Sequence, residues 1–306
     1  MNTPQIADLH VNVAALTPRL PGETRIDFGA AFELLDFLAA SGVSAIALMG
    51  TTGEFTHFDL EDRRRFIQQA VKRSRVPIIA SVAHATLDGA LNLGRTAASA
   101  GAAALLIMPP HFFRYTQAEV KEYLLRFAAE LKGAAPLLLY NIPFFTNELS
   151  PEIAIELLAT GLFAGIKDSS GRWENFIKLK KARLRYGFKL LVGNDVVFTP
   201  ARLAGADGVI SGCACAVPEL MLALDRAIVQ HDTERYERLD ARLHEFITWI
   251  EDFPAPVGIR EAAAARGLKT GPHAVPLSAE QQRRLGQFRV WFETWLPEVL
   301  KECGTG

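Results

Sequence analysis

The sequence predicts an α/β fold, a (β/α)8 TIM barrel carrying a helical C-terminal extension. Two observations predict it: eight short runs of β-branched and aliphatic residues in the first two thirds of the chain, and amphipathic helical segments between them. Most of these runs are nearly continuous in apolar character, as in parallel strands covered on both faces. Strand and helix alternating eight times favours closure into a barrel. The competitor is a doubly wound open sheet. The glycine-rich dinucleotide loop expected after its first strand is missing; the sequence there is Ala14-Ala15-Leu16-Thr17-Pro18.

The apolar runs cover residues 11–17, 44–49, 77–82, 104–108, 136–142, 163–168, 189–192 and 208–211. Between the first two, Phe28, Phe32, Leu35 and Ala39 fall on one side of a helical segment, with Leu38 at its edge. Residues 60–72 and 117–131 set charged groups opposite an apolar stripe, and Thr116-Gln117-Ala118-Glu119 has the form of a capping box. After the eighth run the pattern turns wholly helical over residues 233–251, 256–267 and 278–301, broken by Pro254, Pro256, Pro272 and Pro276. The chain therefore divides into a barrel, residues 1–230, and an extension, residues 231–306, packed on it.

Composition narrows the function classes. Of 306 residues 49% are hydrophobic and 22% charged, enough apolar material for a sizeable core. A formal net charge of -1 supplies no attraction to nucleic acid or to an acidic membrane surface. No stretch approaches the roughly 20 apolar residues of a membrane span. Met1-Asn2-Thr3-Pro4-Gln5 has no basic-then-apolar signal pattern. Cys213, Cys215 and Cys303 are an odd, sparse set, which reads as reduced thiols and a cytoplasmic location. Cys213-Ala214-Cys215 lacks the two-residue gap of a zinc knuckle or redox pair and reads as small residues in a packed strand.

In such a barrel the reactive groups lie at the C-terminal ends of strands. Strand six ends in Gly165-Ile166-Lys167-Asp168-Ser169-Ser170. A lysine inside an apolar run leaves water, and burial disfavours its charged form. A neutral, sheltered amine attacks carbonyl carbon and forms a Schiff base. The alternative is a lysine that snorkels or pairs with Asp168. Strand two ends in Gly50-Thr51-Thr52-Gly53-Glu54, whose bracketing glycines allow a tight turn with backbone N–H groups converging on a carboxylate or phosphate oxygen. Strand five ends in Tyr140-Asn141-Ile142-Pro143, and a tyrosine hydroxyl held there moves protons. Strand seven ends in Gly193-Asn194-Asp195, with Asn194 as a substrate contact. Neighbouring strands lie about 4.8 Å apart, so Tyr140 and Lys167 stand side by side. Together these groups suit a 2-oxo acid: the turn takes the carboxylate, Lys167 the ketone, and Tyr140 the protons.

Gly-Thr-Thr-Gly-Glu, Tyr-Asn-Ile-Pro, Gly-Ile-Lys-Asp and Gly-Ala-Asp-Gly-Val-Ile-Ser, in this order, resemble the motifs of the dihydrodipicolinate synthase / N-acetylneuraminate lyase family. The resemblance runs from about Val11 to Pro218 and more weakly into the helical tail. It implies pyruvate as one partner, with Lys167 as the Schiff-base lysine, Tyr140 as general acid/base, Thr51 and Thr52 as carboxylate binders and proton relay, and main chain near Ile210 as the wall beside pyruvate. It implies no metal and no organic cofactor, and a homotetramer or dimer of dimers.

Two departures bear on the substrate. Dihydrodipicolinate synthases place an arginine two residues beyond the Tyr-Asn-X-Pro motif to grip a second carboxylate; here Phe145 stands at that place. Losing a bidentate pair of that kind weakens a dicarboxylate by about 2–5 kcal/mol. On strand four, Phe112 stands where many relatives have a relay tyrosine; His111 and Tyr115 are off the matching place, and Arg114 is either a carboxylate binder or solvated. Asp168-Ser169-Ser170 beside the lysine suit a hydroxylated chain. The expectation is a class I aldolase or lyase acting on a 2-keto-3-deoxy sugar acid or a 4-hydroxy-2-oxoglutarate-like substrate. The alternatives are a dihydrodipicolinate synthase, a Schiff-base deoxy-keto-acid dehydratase, a phosphate-binding barrel isomerase, and a non-catalytic binding protein.

Overall fold

A computed structural model describes residues 9–23 and 25–304; the N-terminal residues read for a signal pattern lie outside the described residues. Eight parallel strands close into one barrel in sequence order. They are β1 (Val11–Ala14), β2 (Ala45–Leu48), β3 (Ile78–Ser81), β4 (Ala104–Ile107), β5 (Leu137–Asn141), β6 (Gly165–Asp168), β7 (Lys189–Val192) and β8 (Gly208–Ser211). Between and after them run α1 (Phe28–Ala40), α2 (Leu60–Arg73), α3 (Leu87–Ala100), α4 (Gln117–Leu131), α5 (Pro151–Ala159), α6 (Trp173–Tyr186), α7 (Phe198–Leu203) and α8 (Pro218–Val229).

Helix starts follow from the residue before them. Asp27, Asp59, Thr86, Thr116 and Ser150 each accept a hydrogen bond from a backbone N–H of the first turn, and Thr116 with Glu119 completes the capping box. The ladder registers close consistently around the barrel and divide each strand into two faces. One face carries Ala14, Ala47, Leu106, Tyr140, Lys167, Leu191 and Ile210, largely small or functional residues. The other carries Val13, Ile46, Leu105, Leu139, Ile166, Leu190 and Val209. These bulky aliphatic side chains are buried in the layer between sheet and helices. The inner face is therefore left with room at its mouth, where the polar side chains stand.

Three further helices, α9 (Thr233–Ile250), α10 (Val257–Ala265) and α11 (Ala279–Cys303), form the C-terminal part. Phe246, Phe288, Phe292 and Trp295 stack into its core. Arg260 of α10 is fully buried and reaches back to the barrel: it donates to the carbonyl of Thr17 at 3.3 Å and pairs with Glu54. Cys213–Cys215 do not continue β8 as a strand. They form a buried 3-10 turn, in which the Cys213 N–H is turned onto the Asp195 carboxylate.

Candidate active site

Residues opposite each other on hydrogen-bonded strands share a face, and Tyr140 of β5 is the register partner of Lys167 of β6. Lys167 is buried, with Nζ 4.1 Å from the centroid of the Tyr140 ring. The Tyr140 hydroxyl lies 3.3 Å from Thr51 Oγ1 in a shared hydrogen bond. Amine, phenol and hydroxyl thus form one continuous line across the mouth.

The following register pair faces the other way. Asn141 Nδ2 donates to Asp168 Oδ1 at 2.8 Å, and the Ser170 hydroxyl donates to Asp168 Oδ2 at 2.8 Å. Burial raises the Asp168 carboxyl above its ordinary range; the bonds from Ser170 and Asn141 oppose that shift. Asp168 and Ser170 therefore brace the outer side of β6, where they were expected beside the substrate. Only Ser169 shares the inner side with Lys167. Its Oγ is buried and has no hydrogen-bond partner.

The turn after β2 is bracketed by left-handed backbone at Met49 (φ 58°) and Glu54 (φ 50°), and the Glu54 N–H closes onto the Thr51 carbonyl at 2.9 Å. Gly53 is packed so closely that an added Cβ would stand 3.1 Å from the Ala15 carbonyl oxygen and the Met49 nitrogen. That packing holds the two hydroxyls apart. Thr51 turns to Tyr140, and Thr52 turns to the end of β8, where a Cβ on Gly212 would lie 3.4 Å from its Oγ1. Ile210 occupies the inner face of β8, fully buried.

Asn194 is not brought into this group. Its Oδ1 accepts the Val196 N–H at 3.0 Å, capping a 3-10 turn, and its amide lies over Gly171. Alternation from Leu191 picks out its neighbours instead. A side chain on Gly193 would run into Ser169 Oγ and Lys167 Cε, so the missing Cβ is what lets the lysine lie flat. Asp195 is half-buried against the Gly212-Cys213 turn. Its Oδ2 accepts the Cys213 N–H at 3.1 Å, while Oδ1 has no partner. Burial raises its carboxyl, opposed by hydrogen bonds from Ser211 and Cys213 and by the Lys167 charge. Period-two counting from the end of β7 was the signal that would have named Gly193 and Asp195.

Beside Thr51 a cavity of about 290 Å³ opens, walled by Phe55, Met108, His111, Phe145 and Ala255. Phe145 lines this cavity with an exposed ring. Phe112 has φ 76° and is 89% exposed, and its ring packs on Phe113 and not on the site. Arg114 and Tyr115 are also exposed and bring no hydroxyl or charge to Tyr140.

The dihydrodipicolinate synthetase family model matches residues 9–290. The chain belongs to that family. A 4-hydroxy-tetrahydrodipicolinate synthase of Methylococcus capsulatus is 31% identical over 252 residues, covering 80% of this chain and 84% of that one. The crystal structure of dihydrodipicolinate synthase from Aquifex aeolicus superposes with TM-score 0.85 at 26% identity, over 94% of this chain and 98% of that one. A variant of Sulfolobus solfataricus 2-keto-3-deoxygluconate aldolase has the same fold, with TM-score 0.85 at 20% identity over 96% of this chain and 99% of that one. Members of the family are carbon–carbon lyases of the aldolase type, and this chain is one of them. The family's aldolases work through a lysine–pyruvate imine without a metal. Among the described residues no three His, Cys, Asp or Glu side chains gather to hold a metal ion, and no helix is long and apolar enough to cross a membrane.

Proposed function

We propose that the protein is a class I aldolase that cleaves or forms a 2-oxo acid with pyruvate as one partner, and that its substrate is a 2-keto-3-deoxy sugar acid. The observation that carries this reading is the buried Lys167, paired across the ladder with Tyr140, whose hydroxyl meets Thr51.

Lys167 Nζ attacks the ketone carbon, water leaves, and the imine nitrogen becomes the electron sink. Tyr140 takes the proton of the C4 hydroxyl as the C3–C4 bond breaks, releasing an aldehyde and leaving an enamine on the lysine. Proton return from Tyr140 to C3 and hydrolysis then free pyruvate. Backbone N–H groups at Thr52 and Gly53, with the Thr51 and Thr52 hydroxyls, hold the carboxylate, and Ile210 walls the methyl side. Tyr140 gives its own proton to the hydroxyl that leaves as water, which frees it to take the C4 proton, and regains it when the imine is hydrolysed; Thr51 at 3.3 Å shares a hydrogen bond with the phenol oxygen.

The substrate class is supported by what is left unsatisfied. Ser169 Oγ and Asp195 Oδ1 are buried polar atoms without partners, and such groups are costly unless a ligand meets them. Hydroxyls of a sugar-acid chain meet both. The cavity wall carries Phe145 and no guanidinium, which disfavours a dicarboxylate such as 4-hydroxy-2-oxoglutarate. It also disfavours the dihydrodipicolinate synthase reaction, although curated relatives carry that name. A homotetramer or dimer of dimers accompanies this reading.

Borohydride reduction in the presence of pyruvate tests the core step. A reduced pyruvyl adduct should map to Lys167, and Lys167→Ala should not be labelled; equal labelling of the two ends the proposal. A panel of keto-deoxy sugar acids, hydroxyoxoglutarate and aspartate semialdehyde, read by pyruvate release or consumption, tests the substrate. A single dehydrated keto acid as product assigns the protein as a dehydratase instead.

A further inference from the structure

We propose that Arg19 sets the preference for a substrate that carries a carboxylate: it is a buried cation beneath the Thr51-Thr52-Gly53 turn, and its charge is surplus there. The inference deepens the imine reading and rests on it. The segment after β1 runs directly under that turn. A Cβ on Gly53 would stand 3.1 Å from the Ala15 carbonyl oxygen and from Thr17 Oγ1. Two residues further on, Arg19 reaches Glu54, the residue that closes the turn. Glu54 also receives Arg260 from α10. All three side chains are withdrawn from water. Among the described residues no other carboxylate meets either guanidinium, so two positive charges share one negative charge.

The two arginines are not equivalent. Arg260 is fully engaged: it donates to the carbonyls of Thr270 and Thr17 and pairs with Glu54. That pair is balanced without Arg19. Arg19 Nη2 stands 3.6 Å from Glu54 Oε1, beyond hydrogen-bond reach, and its Nε and Nη2 are buried without partners. The guanidinium lies over Phe58, 4.3 Å from the ring centroid, which holds it in place. Burial lowers the Arg19 pKa, the charge of Glu54 opposes that, and Arg260 adds to it. A guanidinium nonetheless stays protonated at neutral pH. Buried donors left unmade are costly, and an apolar side chain of similar length would avoid that cost while leaving Glu54 with Arg260. The position therefore keeps a charge that folding does not need. Beneath N–H groups aimed at a carboxylate, an unscreened cation attracts an anion and gives nothing to an uncharged ketone.

Borohydride trapping at Lys167 in the full-length protein is measured against concentration for two probes, pyruvate and its uncharged amide, pyruvamide. In Arg19→Met the half-saturating concentration of pyruvate should rise about tenfold, while that of pyruvamide stays unchanged. The thermal midpoint of this variant should equal or exceed that of the parent. Arg19→Lys, which keeps a cation beside Glu54, should restore the pyruvate value. An unchanged pyruvate value in Arg19→Met overturns the proposal. So does an equal weakening for both probes or a lowered thermal midpoint, because either assigns Arg19 to the shape of the turn. Failure of the lysine rescue overturns it as well. A parent protein that traps no pyruvate ends the imine reading and this inference together; trapping in the parent with an unaltered preference in Arg19→Met ends this inference alone.

Discussion

Asp195 keeps its carboxyl in surroundings that disfavour the charged form. Burial raises its carboxyl from 3.8, and only the Ser211 and Cys213 bonds and the Lys167 charge work the other way. A carboxyl raised in the folded state binds its proton more tightly there than when unfolded. Its contribution to stability is thus complete below 3.8 and is lost as pH rises through the folded value. Asp195→Asn keeps an oxygen for the Cys213 N–H and removes the titration. The variant should gain stability over the parent at pH 7, with the gain shrinking toward zero below 3.8. Thermal melts across that range check the sign; a constant difference would show that Asp195 does not titrate as its burial requires. The same scale explains what a reader of the sequence could and could not see. Lys167, Tyr140, Thr51 and Thr52 were legible because a lysine interrupts an apolar run and the others sit in short ordered motifs at strand ends. Gly193 acts by having no side chain, and Asn194 is the more conspicuous residue beside it, yet Asn194 only caps a turn.

At the scale of elements, strands and helices were legible because their signals are local. Each of the eight apolar runs contains one strand, but several strands are shorter: the run 11–17 yields only Val11–Ala14, since Leu16 and Thr17 leave the ladder to approach Cys215 and Met49. The 3-10 turn at Cys213–Cys215 was hidden because its cause, the carboxylate of Asp195, lies 18 positions away. The inner and outer faces of β6 were also not separable by composition alone. Only the alternation anchored on Lys167 puts Ser169 inside and Asp168 outside. Helix α5 follows β5 and is capped by Ser150, whose hydroxyl accepts the Ile153 N–H at 3.3 Å, with Pro151 as the first helical residue. Ser150→Ala should cost about 1 kcal/mol in denaturant unfolding. It should leave pyruvate trapping at Lys167 unchanged, because the Tyr140–Lys167 register is held by the strands. A loss of trapping at equal stability would show that the helix start positions the phenol.

For the whole molecule, α6 presents Trp173, Ile177 and Leu184 to the outside, with Leu184 85% exposed. Apolar groups at this spacing share one helix face, and an uncovered face of this kind marks a contact surface. It is consistent with the proposed homotetramer. Light scattering should give a mass of several chains, and Ile177→Glu with Leu184→Glu should reduce it to a smaller species that still forms the imine. A monomeric parent protein removes that part of the proposal. We also propose that residues 231–306 depend on the barrel. The chain ties its last third to its first: Arg260 reaches Thr17 and Glu54, and Glu54 directly follows the Thr51-Thr52-Gly53 turn. A chain cut after the eighth strand would keep every residue of the amine–phenol line yet lose the guanidinium that braces Glu54 behind the Thr51-Thr52-Gly53 turn.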